Sequence, residues 1–220
     1  MLKITDIDFE REKKLKTLFE NEVDRVKHEL EFKFEQIKTK VNLNLIENAL
    51  HFALAQDYGE ALLAKFYVTH PLRVTCFIVD WMVYYQDFST DFVIASLLHN
   101  AIEKDILTAE ELKHRYGEWI AKTIQTLTQD RVALKNPILK NKYYENIYAL
   151  DKYGQLLKLY DKFDNLYAIS LNPSAEIRTE YILEIETKVR PIAEKFSPEI
   201  LNYLDALICR MKEVGYFNPY

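Results

Sequence analysis

From about residue 8 to residue 40 the chain is rich in Glu and Lys, and Leu15, Leu18, Phe19, Val23, Val26, Leu30, Phe34, Ile37 and Val41 recur three or four positions apart. That spacing puts apolar side chains on one face of a helix and charges on the other. One long amphipathic helix, whole or broken, is expected here. Its stripe can pack on its own domain or pair with a second subunit as a coiled-coil-like arm.

The rest of the chain also favours helices. Four glycines and six prolines in 220 residues leave few turns. Val-rich alternating runs are scarce, whereas Leu, Glu and Lys are plentiful. With 49% apolar and 13% aromatic residues there is material for one sizeable core. The expected plan is a helical extension over 1–43, a helical domain over 44–213 and a short tail over 214–220. Within the domain, helices are expected at 44–57, at 71–85 with Pro71 in the first turn, and at 91–103 behind the caps Ser89, Thr90 and Asp91. Thr108 and Glu111 form a capping box, Gly117 marks a break, and a helix follows to about Leu127. After a loop ending at Pro137 come helices at 138–150, 155–171, 174–195 and 198–213. The last two start behind Asn172-Pro173 and Ser197-Pro198.

Several function classes are disfavoured. A net charge of −5 and a pI near 5.6 argue against an extended nucleic-acid face, although one nucleotide needs only a pocket. No apolar run reaches the roughly 18 residues that span a bilayer. Met1–Asp6 leads into charges and not into a signal-peptide core, so a cytoplasmic protein without a membrane partner is expected. Cys76 and Cys209 sit in apolar stretches and are expected to be buried thiols.

Three separated motifs carry chemistry. Tyr67-Val68-Thr69-His70-Pro71 comes first, then Leu98-His99-Asn100-Ala101-Ile102-Glu103-Lys104, then Leu157-Lys158-Leu159-Tyr160-Asp161-Lys162-Phe163-Asp164-Asn165-Leu166. In this order, over roughly residues 46–210, they resemble the HD superfamily of metal-dependent phosphohydrolases. Within it they resemble the (p)ppGpp hydrolase domain of RelA/SpoT proteins and the single-domain small alarmone hydrolases.

The resemblance implies an all-α HD-domain bundle, to which the long N-terminal amphipathic helix is an addition. It implies a divalent metal, usually manganese, held by His70, His99, Asn100 and Asp161. Glu103 and Lys104 take the catalytic positions, and a guanosine polyphosphate or related phosphorylated nucleotide is the implied ligand. Asn165 and Tyr181 match nucleotide-contacting positions. Ala61-Leu62 replace a basic pair that clamps the base, leaving Lys65 as the nearby cation. Arg131, Lys135, Lys140 and Lys142 lie where related hydrolases place a loop near phosphates, and Lys140 and Lys142 are candidate ligand contacts. His28, His51 and His114 have no motif around them and are expected to be ordinary surface or core residues.

The chain departs from the pattern twice. Asn100 offers a neutral amide oxygen where the motif has a carboxylate, and Lys104 brings an ammonium where it has a second acid. Asp105 is an acid one place late, and one residue turns a helix by about 100°, so it is expected to face elsewhere. Both departures weaken cation binding and favour anions. Weak or absent hydrolysis is therefore expected. The alternatives are a metal-free pseudoenzyme that binds a phosphorylated nucleotide or a protein partner, and a structural dimerisation module built on residues 8–40. Few residues follow the last helix, so no synthetase domain is expected.

Overall fold

The computed structural model describes residues 3–19, 22–58, 67–130 and 132–218. It is 77% helical, without a strand among the described residues. The helices are α1 Ile7–Phe19, α2 Val23–Ile37, α3 Leu43–Leu54, α4 Thr69–Tyr85, α5 Thr90–Leu98, α6 Ala109–Tyr116, α7 Glu118–Leu127, α8 Pro137–Tyr148, α9 Lys152–Ala168, α10 Ala175–Glu184, α11 Arg190–Ala193 and α12 Pro198–Val214. A π-helical turn, Ile185–Val189, joins α10 to α11.

Two of these helices are buried nearly all round and form the axis of the bundle. In α4 the unbroken run Thr69–Val79 is buried, and in α9 so is Gly154–Tyr160. A helix without a solvent face must be covered on every side. For α4 the cover is α2, α5 and α9; α9 is covered by α1, α4 and α12. The polar residues on both axial helices therefore need partners inside the protein, and this sets up the site.

Local signals explain most boundaries. Ser89 accepts from the Phe92 amide, Thr108 and Glu111 form the reciprocal capping box, and Ser197 caps α12 ahead of Pro198. Gly117, at φ 97° and ψ 167°, adopts a backbone essentially reserved for glycine and separates α6 from α7. α10 starts later than expected because Asn172 Oδ1 accepts from the Ser174 amide in a local turn, which passes the cap to Ser174.

The N-terminal segment is two helices and not one. Glu22 leaves the helical region (φ −96°, ψ 36°), and the two helices pack on different partners, α1 on α9 and α2 along α4. The stripe of Val26, Leu30, Phe34 and Ile37 is buried, so packing within the chain accounts for it. The buried face of α1 differs from the expected apolar one, since it includes Lys14 and Thr17.

Two further expectations are corrected. Cys76 is buried, but Cys209 is exposed on α12; both are free thiols. The helix expected to reach residue 103 ends at Leu98. Residues 99–105 form turns closed by Ile106 N–H to Ala101 O at 2.9 Å and Asp105 N–H to Ile102 O at 3.1 Å. Asp105 takes the left-handed conformation (φ 55°), which a short polar side chain tolerates, and it faces solvent as expected. Among the described residues, no helix is long and apolar enough to cross a membrane.

Candidate metal centre

The start of α4, the end of α5 and the middle of α9 meet at His70, His99 and Asp161. Their ligand atoms all lie within 4.8 Å of one another. His70 Nε2 is 3.1 Å from His99 Nε2 and 3.3 Å from Asp161 Oδ1, and His99 Nε2 is 4.0 Å from the same oxygen.

The other ring nitrogens are anchored. His70 Nδ1 donates to Asp164 Oδ2 at 2.6 Å, and His99 Nδ1 donates to the Ser96 carbonyl at 2.7 Å. With its proton on Nδ1, a neutral His99 presents the Nε2 lone pair to the shared centre, which His70 Nε2 also faces. Burial, then the proximity of His70, pushes His99 down to about 4, so its ring is neutral near pH 7. Two imidazole nitrogens and a carboxylate oxygen thus face one point, a donor set that suits a divalent cation.

Asn100 adds a second sign of the same kind. It is 6% exposed, and its buried Oδ1 has no hydrogen-bond partner among the described residues. An unsatisfied buried carbonyl next in sequence to His99 suits a metal ligand, as do two imidazoles and a carboxylate. These residues fit a divalent cation.

Asp161 is held as an anion. Burial alone would raise its pKa, but Lys158, the bond to His70 and Lys162 outweigh burial and keep the carboxyl well below its usual range. Lys158 Nζ pairs with Oδ2 at 3.1 Å, and Asn165 Nδ2 donates to Oδ1 at 2.7 Å. Asn165 therefore orients the carboxylate from one helical turn away.

Behind His70 lies a buried ion cluster. Asp164 is 0% exposed and accepts from Arg73 Nε at 2.9 Å, Arg73 Nη2 at 3.0 Å and Lys14 Nζ at 2.5 Å. Arg73 also bonds Thr17, so α1 reaches the back of the site through two residues. Burial, and next Arg73, pushes Lys14 down to about 8. Asp164, Arg73, Lys14 and Lys158 were not singled out from the sequence. The signal available was Asp161 and Asp164 within one turn of an apolar helix, where both acids need internal partners.

The remaining candidates are placed as follows. Glu103 and Lys104 sit in the 99–105 turns. Glu103 is close enough to Lys162 to favour that lysine's charged form, although burial and Lys158 still push Lys162 down to about 8. Lys104 Nζ lies 3.9 Å over the Tyr67 ring, so its charge is spent on an aromatic face. Tyr181 lies with its ring centre 4.9 Å from the Lys162 ammonium, and its buried hydroxyl has no hydrogen-bond partner among the described residues. Lys140 pairs with Glu184 at 2.9 Å, and Lys142 is exposed on α8. Lys65, Ala61-Leu62 and Arg131 lie outside the described residues.

No protein-family model matches the chain. It is 32% identical over 126 residues to a guanosine-3′,5′-bis(diphosphate) 3′-pyrophosphohydrolase of Aquifex aeolicus, a match covering 55% of this chain and 17% of that one. It is 29% identical over 141 residues to a protein of the same name from Spiroplasma citri, covering 60% and 18%. The chain thus spans less than a fifth of the length of these curated relatives. Among solved structures, a metazoan ortholog of SpoT, described as hydrolysing ppGpp with a role in starvation responses, matches with a TM-score of 0.57 at 20% identity. The match covers 76% of this chain and 93% of the other, and the fold is shared. The chain resembles the HD-type hydrolase domains of RelA/SpoT proteins.

Proposed function

We propose that the chain binds guanosine polyphosphate, or a related phosphorylated nucleotide, at a divalent-metal site made by His70, His99, Asp161 and Asn100, and hydrolyses it weakly or not at all. The observation that carries this reading is the convergence of two imidazoles and a carboxylate, their ligand atoms all within 4.8 Å of one another. Similarity to two guanosine-3′,5′-bis(diphosphate) 3′-pyrophosphohydrolases supports the substrate class.

A bound divalent ion, manganese by resemblance, would supply Lewis acidity and a more acidic bound water. The chain's own residues do the rest. Asp164 and the Ser96 carbonyl hold the two imidazoles through Nδ1, with each Nε2 turned to the site. Asn165 and Lys158 hold the Asp161 carboxylate in place. Glu103 is the acid available to take a proton from an attacking water, and Lys162 and Lys158 bring positive charge to a phosphate. Lys104 contributes no acid, so proton transfer rests on Glu103 alone. Losing one such group commonly costs factors of roughly 10² to 10⁴.

A metal-free binding protein is the second reading, favoured by one observation: the Lys158 ammonium already neutralises Asp161 Oδ2. Self-association through the N-terminal helices would have to use what they leave exposed, such as Phe9 and Phe32, because the α2 stripe is covered.

Manganese-supplemented turnover of ppGpp, measured beside calorimetric ppGpp binding, tests the proposal. Binding with turnover far below about 1 per second is expected. Turnover at or above that rate would refute the weak-hydrolysis reading, and absence of binding would remove the ligand assignment.

A further inference from the structure

One acid sits behind His70, and two buried cations face it. Asp164 Oδ2 lies 2.6 Å from His70 Nδ1 and accepts from Lys14 Nζ at 2.5 Å and Arg73 Nη2 at 3.0 Å, while Oδ1 accepts from Arg73 Nε at 2.9 Å. The two-point guanidinium contact already balances the carboxylate. Lys14 therefore leaves a surplus positive charge behind a metal ligand. It is 4% exposed, and burying an ammonium beyond what neutrality requires costs folding free energy.

The effect of that charge follows from its place. A carboxylate behind a ligating imidazole strengthens the imidazole as a donor. Lys14 bonds the same oxygen that His70 uses, so it draws on the same negative charge. Its field also reaches the metal carboxylate, since Asp161 favours the charged form of Lys14. Both effects oppose a divalent cation, and buried charges are little screened by salt.

Lys14 belongs to α1, which lies outside the stretch that carries the family motifs. Among the described side chains of α1, Ile7, Lys14 and Thr17 are buried, whereas Phe9 is 65% exposed. Its further attachments are polar: Arg11 Nη2 donates to Ser170 Oγ at 2.9 Å, Lys13 pairs with Glu29 at 2.7 Å, and Asp8 pairs with Arg210 at 2.8 Å. A helix held largely by charge, with little apolar burial, is an element suited to local opening.

We propose that α1 is a brake on the metal centre: docked on α9, it places the Lys14 ammonium behind His70 and holds the divalent-cation affinity of His70, His99 and Asp161 below what those ligands would otherwise give. Lys14 touches no metal ligand and acts through Asp164. The inference rests on the metal-site reading and adds a means of regulating that site.

The experiment is manganese titration of the full-length wild type, Lys14→Met and Lys14→Arg, with free manganese followed by electron paramagnetic resonance. Lys14→Met keeps most of the volume and leaves Asp164 to Arg73, so binding should tighten by roughly fivefold or more. Lys14→Arg keeps the charge and should stay within about twofold of wild type. A lysine that only packs would give no such split between the two variants. Equal or weaker binding by Lys14→Met would overturn the inference and leave the metal reading standing, as would a tightening that Lys14→Arg shares. No saturable binding by any of the three chains would refute both. Should Lys14→Met fold poorly, amide hydrogen exchange of wild-type α1 decides, because coupling between α1 docking and metal binding is reciprocal. Saturating manganese must speed that exchange, and unchanged or slower exchange would equally overturn the inference.

Discussion

Asp164→Ala is expected to lower the unfolding free energy by roughly 3–5 kcal/mol, the usual cost of removing one partner from a buried ion cluster. Asp164 accepts four hydrogen bonds, from Lys14, His70 and twice from Arg73, and no water replaces them in a fully buried position. The alanine would strand a buried ammonium and a guanidinium, each far costlier to leave unpaired than a neutral donor. Adding Lys14→Met should recover part of the loss, because it removes one stranded charge and keeps most of the volume. Urea unfolding of the single and double variants checks both statements. A loss under about 1 kcal/mol would mean that the cations reach solvent and that α1 is not anchored through this carboxylate.

Asn100→Asp is expected to tighten manganese binding at least tenfold, about 1.4 kcal/mol. Among the described residues the buried Asn100 Oδ1 has no donor, so the local structure already tolerates an acceptor there, and a carboxylate adds the charge that a divalent ion attracts. Lys104→Asp should add little alone, since the Lys104 ammonium rests on Tyr67. Competition against a chelator of known affinity measures the change. Unaltered affinity would show that residue 100 does not face the ion.

Helix existence was legible because its signals are local. Capping residues at Ser89, Thr108 and Ser197, the break at Gly117 and the spacing of Val26, Leu30, Phe34 and Ile37 each act within a few residues. The end of α5 was less legible: Ala95–Leu98 continue a helical pattern, yet the chain passes at His99 into turns that run to Asp105. The division between α1 and α2 was hidden for a different reason: the stripe continues across it, and only tertiary packing sends the two helices to different partners.

The site was legible where a motif spans few residues and opaque where it is closed from afar. His70, His99 and Asp161 were readable from their order, and the structure brings them together. The Asp164 cluster joins residues 14, 73 and 164, separated by up to 150 positions, so no local pattern could announce it. Lys14 is the clearest instance. On α1 it reads as one more solvated lysine, yet it is 4% exposed because Asp164 gives it a counter-ion inside the core. Glu184 and Lys140 are likewise joined across 44 residues.

The central claim is that His70, His99 and Asp161 make a cation site. It is tested most directly by titrating manganese into chelator-stripped protein while following free manganese by electron paramagnetic resonance. One saturable equivalent is expected for the wild-type chain and its loss in His99→Ala, a variant whose folding is checked by circular dichroism. Absence of saturable binding in the wild type, or an equivalent that survives in folded His99→Ala, would contradict the account.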